Sequence, residues 1–474
     1  MKKYAYILSV LLLTAGLQAC DQDHKPDWTE TAPFDVKVVS TSIVDGQEIS
    51  PEVVTITVTY DCDIALNSQA DITLNGLPVS NPRVVDGKTL VADFHLERGK
   101  RYIFNIPADA VAGIGSKTFA PQLTVNFNTG TINIIDKTKL SPALVNAAAS
   151  PEAKAVYDLL VNNYGNRQLS GAMGGVAWET LYTDYIFEQT GKYPAIVGFD
   201  YIHLASSPAD WIDYGDIEPV KKAWEAGSIP AMTWHWNVPI AEGSDVLSSS
   251  TTVTVDGKEV ENQFKASEVL VEGTWENKVA TADVEKLAGY LKLLKDANIP
   301  VLWRPFHEAA GDYTWGAWFW WGNSGTETTK QLWNWLREKL VKEHGLDNLI
   351  WVWTAQTSDE GKLADLSKLQ EAYPGDESVD IVGADLYVDP LSDQLGSFEL
   401  LYNLTGGRKL VALAECGNLL DVDTAFADGA LWSYFMAWYE MEDGKPVAGQ
   451  WNLNGEWKKV LGNPLVLNRG DLKF

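Results

Sequence analysis

The chain has 474 residues, more than one ordinary hydrophobic core serves, so at least two domains are expected. Its 46% hydrophobic content is that of a soluble globular protein. A formal charge of −27 repels nucleic acid, which excludes that class of partner, whereas a neutral polymer such as a polysaccharide is indifferent to it.

In chain order, residues 1–19 read as a targeting segment rather than as fold. Lys2 and Lys3 form a basic start, and the apolar run from Tyr4 to Leu17 is too short for a membrane span. It ends in Leu17-Gln18-Ala19-Cys20, which resembles the lipobox of bacterial lipoproteins. That resemblance implies cleavage before Cys20, acylation of this residue and an outer-membrane anchor. Asp21 and Asp23 resemble the surface-display signal of Bacteroidetes-type lipoproteins, which favours the cell surface over the periplasmic face. Residues 20–32 read as a polar tether.

Residues 33–131 carry short alternating runs, such as Val53–Tyr60 and Gln122–Phe127, separated by turn signals at Asp45-Gly46, Asn75-Gly76 and Asp86-Gly87. This spacing predicts an all-β, immunoglobulin-like sandwich. The segment contains no tryptophan and reads as a spacer rather than a glycan-binding module. Cys62 and Cys416 fall in different domains, so no disulfide is expected between them.

From residue 132 the pattern changes to apolar strands separated by helical stretches. Eight strands are expected: Gln168–Met173, Tyr193–Asp200, Ile229–Trp236, Ile299–Glu308, Leu349–Thr354, Val379–Tyr387, Leu410–Gly417 and Trp432–Trp438. Pro151–Tyr164, Asp283–Ala297, Thr328–His344 and Leu366–Tyr373 read as helices. Eight β-α units predict an α/β fold, a (β/α)8 TIM barrel over residues 132–474. Val238–Val279 is an insertion after the third strand, on the rim where barrel active sites lie.

Active residues of barrels sit at the C-terminal ends of strands. Glu308 ends the fourth run and Glu415 the seventh. Alone, either Glu reads equally well as an ion-paired barrel residue. Two carboxylates across one mouth are what glycoside hydrolysis needs, one to protonate the leaving oxygen and one to attack the anomeric carbon. A zinc site is not indicated. Ala309-Ala310-Gly311 follows Glu308 where a zincin would place its second histidine, and His235 and His307 are too few ligands. Apart from Trp28, all 20 tryptophans lie after residue 150, and indoles offer flat apolar surface to sugar rings. Trp318 and Trp432 are the first candidates for stacking.

The run Trp303-Arg304-Pro305-Phe306-His307-Glu308, followed by Trp318-Phe319-Trp320-Trp321-Gly322, resembles glycoside hydrolase family 26, whose best-known members are endo-β-1,4-mannanases. The resemblance covers the barrel only. It implies that Glu308 is the acid/base and Glu415 the nucleophile. It further implies that His307 and Trp318 line the cleavage subsite, that Tyr387 hydrogen-bonds the nucleophile and that His235 contacts sugar. The stretch Ala309–Ala317 is longer than the family leads one to expect. The expected activity is retaining hydrolysis of β-1,4-mannosidic bonds in mannan, galactomannan or glucomannan, by a monomer with no cofactor or metal. Two other readings stay open: a mixed-linkage β-glucanase or xylanase on the same scaffold, and a non-catalytic surface glycan-binding lipoprotein.

Overall fold

The computed structural model describes residues 34–474 except 50–53, 80–81, 95, 98, 117, 131–134, 177, 310–316, 360–361, 388–393 and 449–453. The expected signal segment, Cys20 and the tether lie outside the described residues. The chain divides into two compact units on either side of the 131/132 peptide.

The first unit is all β. Val38–Thr41, Val54–Tyr60, Thr89–Phe94 and Arg83–Val85 form one sheet. Gln47–Ile49, Leu123–Thr129, Arg101–Ile106, Thr73–Leu74 and Leu77–Pro78 form the other. Alternation sends every second side chain inward, so Ile56 and Val58 from one sheet share a core with Phe104, Val125 and Phe127 from the other.

The second unit is a closed barrel of eight parallel strands. They are β1 (Gly171–Met173), β2 (Ile196–Asp200), β3 (Ile229–Thr233), β4 (Val301–Arg304), β5 (Leu349–Ala355), β6 (Ile381–Leu386), β7 (Leu410–Cys416) and β8 (Phe435–Ala437). Every residue in them is buried, which is why each reads as an apolar run without alternation. The ring closes where Ala172 pairs with Ala437. There Gly171 is required, because an added Cβ would sit 2.6 Å from the Phe435 carbonyl oxygen.

Helices cover the outside. Ser150 caps Pro151–Asn163 by accepting from the Ala153 amide, with Pro151 at the first turn. Thr274 caps Trp275–Asp296 by accepting from the Asn277 amide. The insertion after β3 folds as the hairpin Thr252–Val255/Lys258–Glu261, preceded by the pair Val238–Pro239/Leu247–Ser248 and followed by the short helix Ala266–Val269. Among the described residues no helix is long and apolar enough to cross a membrane.

Candidate active site

Four carboxylates and one guanidinium meet or follow the C-terminal strand ends. β4 delivers Arg304, then Phe306, His307 and Glu308; β6 delivers Asp385 and Tyr387; β7 delivers Glu415; β2 delivers Asp200. Phe306 and Glu308 both have left-handed backbones, at φ 51° and 50°, on either side of His307. Side chains with a Cβ resist that region, so the turn stores about 1–3 kcal/mol per residue. The Glu308 amide is held by Asp385 Oδ2 at 3.3 Å and Thr354 Oγ1 at 3.4 Å.

Glu415 is aimed by a bulge. Leu413 pairs with Ala384 on one side and Phe435 on the other, but Asp385 pairs with Glu415 and Ala437 with Cys416. One extra residue therefore lies in β7 at Ala414, relative to both neighbours, and re-aims the next side chain. Arg304 Nη2 donates to Glu415 Oε2, and the Tyr387 hydroxyl donates to Oε1 at 2.5 Å. Arg304 also donates from Nη1 to Asp385 Oδ2 at 2.9 Å, and Thr354 Oγ1 donates to the same oxygen at 2.7 Å. The guanidinium is buried, but the charges of Asp385 and Glu415 outweigh that cost and push its pKa further up. The Tyr387 phenol is raised far above its usual range by burial and by Glu415, so it remains a donor.

Glu308 is the opposite case. Burial, then the charges of Glu415 and Asp385, push its pKa up to about 8, against the Trp318 hydrogen bond and Arg304. It is a carboxylic acid at neutral pH. The Trp318 indole Nε1–H donates to Glu308 Oε2. Trp318 is itself fixed by the insertion after β3. Thr251 donates from its amide to the Trp318 carbonyl at 2.7 Å, and Ser250 bridges to Phe319. The stretch 309–317 lies largely outside the described residues.

His235 and His307 form a second network. Thr233 Oγ1 gives its hydrogen to the Arg304 carbonyl at 3.1 Å and so accepts from His307 Nδ1 at 3.3 Å. That leaves His307 Nε2 as an acceptor facing His235 Nε2 at 3.1 Å. His235 Nδ1 faces Asp200 Oδ2 at 2.6 Å. His235 must donate from both nitrogens, which makes it an imidazolium beside a neutral His307. The electrostatics agree. Burial opposes charge on His235, but Asp200 prevails and its pKa is raised. Burial, the His235 charge and Arg304 hold His307 well below its usual value.

Of the residues expected from sequence, Glu308, Glu415, Tyr387, Trp318 and His235 gather at the mouth. One expectation changes, that for Trp432, and His307 is more deeply buried than the residues just named. His307 is only 1% exposed, with both ring nitrogens taken and Phe319 and Trp321 packed beside it at 4.9 and 5.5 Å. Its ring lies against His235, so the structure gives it a positioning role beside Glu308. Trp432 is fully buried against Phe398 at 5.2 Å. The eighth strand spans only Phe435–Ala437, so Trp432 precedes it at the closed end of the barrel. Trp438, just past the other end, lies 5.7 Å from His235 instead. Arg304, Asp385 and Asp200 were not singled out. The criterion that found the two glutamates, a charged residue ending an apolar strand, would have found all three.

The model of glycosyl hydrolase family 26 matches residues 145–471. Mannan endo-1,4-beta-mannosidase B of Piromyces sp is 33% identical over 345 residues, 70% of this chain and 54% of that protein. A mannan endo-1,4-beta-mannosidase of Bacillus subtilis strain 168 is 31% identical over 60% of this chain and 75% of its own. The chain spans about half the length of the Piromyces relatives it matches, 51% and 54%. Among solved structures, the family 26 domain of an endo-beta-mannanase/endo-beta-glucanase from Prevotella bryantii is 38% identical, with a TM-score of 0.59 over 69% of this chain and 98% of that domain. A beta-mannanase from a symbiotic protist of the termite Reticulitermes speratus, complexed with gluco-manno-oligosaccharide, is 34% identical, with a TM-score of 0.59 over 70% of this chain and 98% of its own.

Proposed function

The chain belongs to glycosyl hydrolase family 26, and from that starting point we propose that it is a retaining mannan endo-1,4-β-mannosidase. One observation carries the roles: a glutamate in the turn after β4 and another near the end of β7 share a mouth, one held neutral and the other held by Arg304 and Tyr387 as a hydrogen-bond acceptor. Glu308 donates its proton to the departing glycosidic oxygen while Glu415 attacks the anomeric carbon and forms a glycosyl ester. Once that ester forms, Glu415 loses its charge. The second of the three causes raising the Glu308 pKa then falls away, which suits Glu308 to ionise and deprotonate the incoming water. Trp318 positions Glu308 by its indole hydrogen bond, and Tyr387 and Arg304 position Glu415. The names of the relatives favour mannan as substrate.

A reducing-sugar assay on galactomannan, glucomannan, lichenan and xylan, with products sized over time, tests this. Release of manno-oligosaccharides from the first two is expected. Turnover of lichenan or xylan alone contradicts the substrate, and turnover of none contradicts the enzyme.

The anchor is proposed on sequence alone: Lys2, Lys3, the apolar run and Leu17-Gln18-Ala19-Cys20. Metabolic labelling with a radioactive fatty acid should mark the wild-type chain and not Cys20→Ala. Equal labelling of both would contradict it.

A further inference from the structure

We propose that Trp211 forms a second sugar-binding subsite, distal to the cleavage point, where its indole stacks on a neutral β-linked hexopyranose of the same glycan chain. This deepens the reading of the chain as a β-glycan hydrolase and rests on it.

Among the described tryptophans, Trp211 is the only one that is mostly exposed, at 60%. A single exposed apolar residue is ordinary by itself. What sets this one apart is the loop that carries it. Residues 201–216 leave the C-terminal end of β2, on the same face of the barrel as Glu308 and Glu415. The loop is firmly built. Ala209 and Ile212 exchange backbone hydrogen bonds at 2.8 and 3.1 Å, which puts Asp210 and Trp211 at the tip of a tight turn. Beneath the tip, Ser207 Oγ accepts from the Tyr214 amide at 3.1 Å, and the Tyr214 hydroxyl donates to the Asp200 carbonyl at 2.8 Å. Leu204, Ile212 and Tyr214 are all buried. The loop therefore buries Leu204, Ile212 and Tyr214 and holds one indole in water, on a turn tied down by hydrogen bonds.

The position is continuous with the mouth. His203 packs on Trp211 at 4.9 Å, edge to face, and lies three residues beyond Asp200, the partner of His235. Asn237, two residues beyond His235, donates from Nδ2 to the Ile202 carbonyl at 2.9 Å and ties this loop to the segment after β3. Ring contacts join Trp318, Phe319 and His235 on one side and His203 and Trp211 on the other, and the Asn237–Ile202 bond ties the segments that carry the two groups.

The chemistry selects the ligand class. An indole face matches the C–H face of a pyranose ring. Asp210 and Asp213, exposed on either side of Trp211, offer acceptors to ring hydroxyls. Two carboxylates repel a uronic acid, so the sugar is neutral.

The test is a length series. kcat/KM of the full chain and of Trp211→Ala and Trp211→Phe is measured on β-1,4-manno-oligosaccharides from three to seven residues. The ratio of kcat/KM for the longest to the shortest cleaved substrate should fall about five- to tenfold in Trp211→Ala, through KM, and less in Trp211→Phe. A ratio equal to wild type, or an equal loss at every length, overturns the subsite. In parallel, Glu415→Ala with and without Trp211→Ala is run in native gels containing galactomannan. Weaker retardation of the double variant supports the subsite, and equal retardation overturns it. If wild type cleaves no oligosaccharide, the hydrolase reading fails, and the gels still decide the subsite.

Discussion

Glu308 is the residue on which most of the chemistry turns, and its environment makes testable demands. Its active form is the acid, so kcat/KM should fall as pH rises through about 8. The same shift acts on stability. The folded chain holds a proton on Glu308 that the unfolded chain releases above the ordinary carboxylate value, so this contribution is lost as pH rises toward 8. Glu308→Gln should therefore raise the melting temperature more at pH 8 than at pH 5; an equal effect at both would contradict the raised pKa. Azide should restore turnover of Glu308→Ala on an activated aryl mannoside, because the second step then needs no base. Tyr387→Phe should lower kcat by about ten- to a hundredfold, the worth of one hydrogen bond to a charged partner. In the histidine pair, NMR of labelled His235 should show both nitrogens protonated at neutral pH, and Asp200→Asn should return it to one. A neutral His235 in the wild type would contradict the proton count.

At the scale of elements, β7 and the insertion after β3 do the positioning. The Ala414 bulge turns Glu415, and the insertion braces Trp318 through the Thr251 amide. Thr251→Pro removes that donor and should slow turnover while circular dichroism stays unchanged. Gly171→Ala should cost about 1–3 kcal/mol of stability, read as a lower melting temperature, because the Phe435 carbonyl cannot retreat without opening the ring. The eight strands were legible because parallel strands buried on both faces leave unbroken apolar runs in the sequence. Their ends were less so. Trp432–Trp438 contains only the short strand Phe435–Ala437, and that uncertainty put Trp432 at the mouth, where Trp438 stands beside His235 instead. A bulge leaves no periodicity to read when neither face is polar. The division of roles between the two histidines was hidden for another reason. His307 and His235 look alike in sequence, and only the hydrogen-bond partners separate a buried acceptor from a charged neighbour.

For the whole molecule, two units with separate hydrophobic cores imply separable folding. A chain starting at residue 132 should keep its kcat/KM on soluble mannan within about twofold, since every residue assigned to chemistry lies in the second unit. The net charge of −27 predicts that turnover of neutral mannan changes little with salt, whereas an acidic glycan would be excluded. The central claim is that one barrel mouth holds a neutral acid and an attacking carboxylate, and the covalent intermediate tests it most directly. Incubation with a 2-deoxy-2-fluoro-β-mannosyl fluoride should inactivate the enzyme and place one fluoromannosyl group, by peptide mass spectrometry, on Glu415. Label on another residue, or continued turnover without any label, would contradict the account.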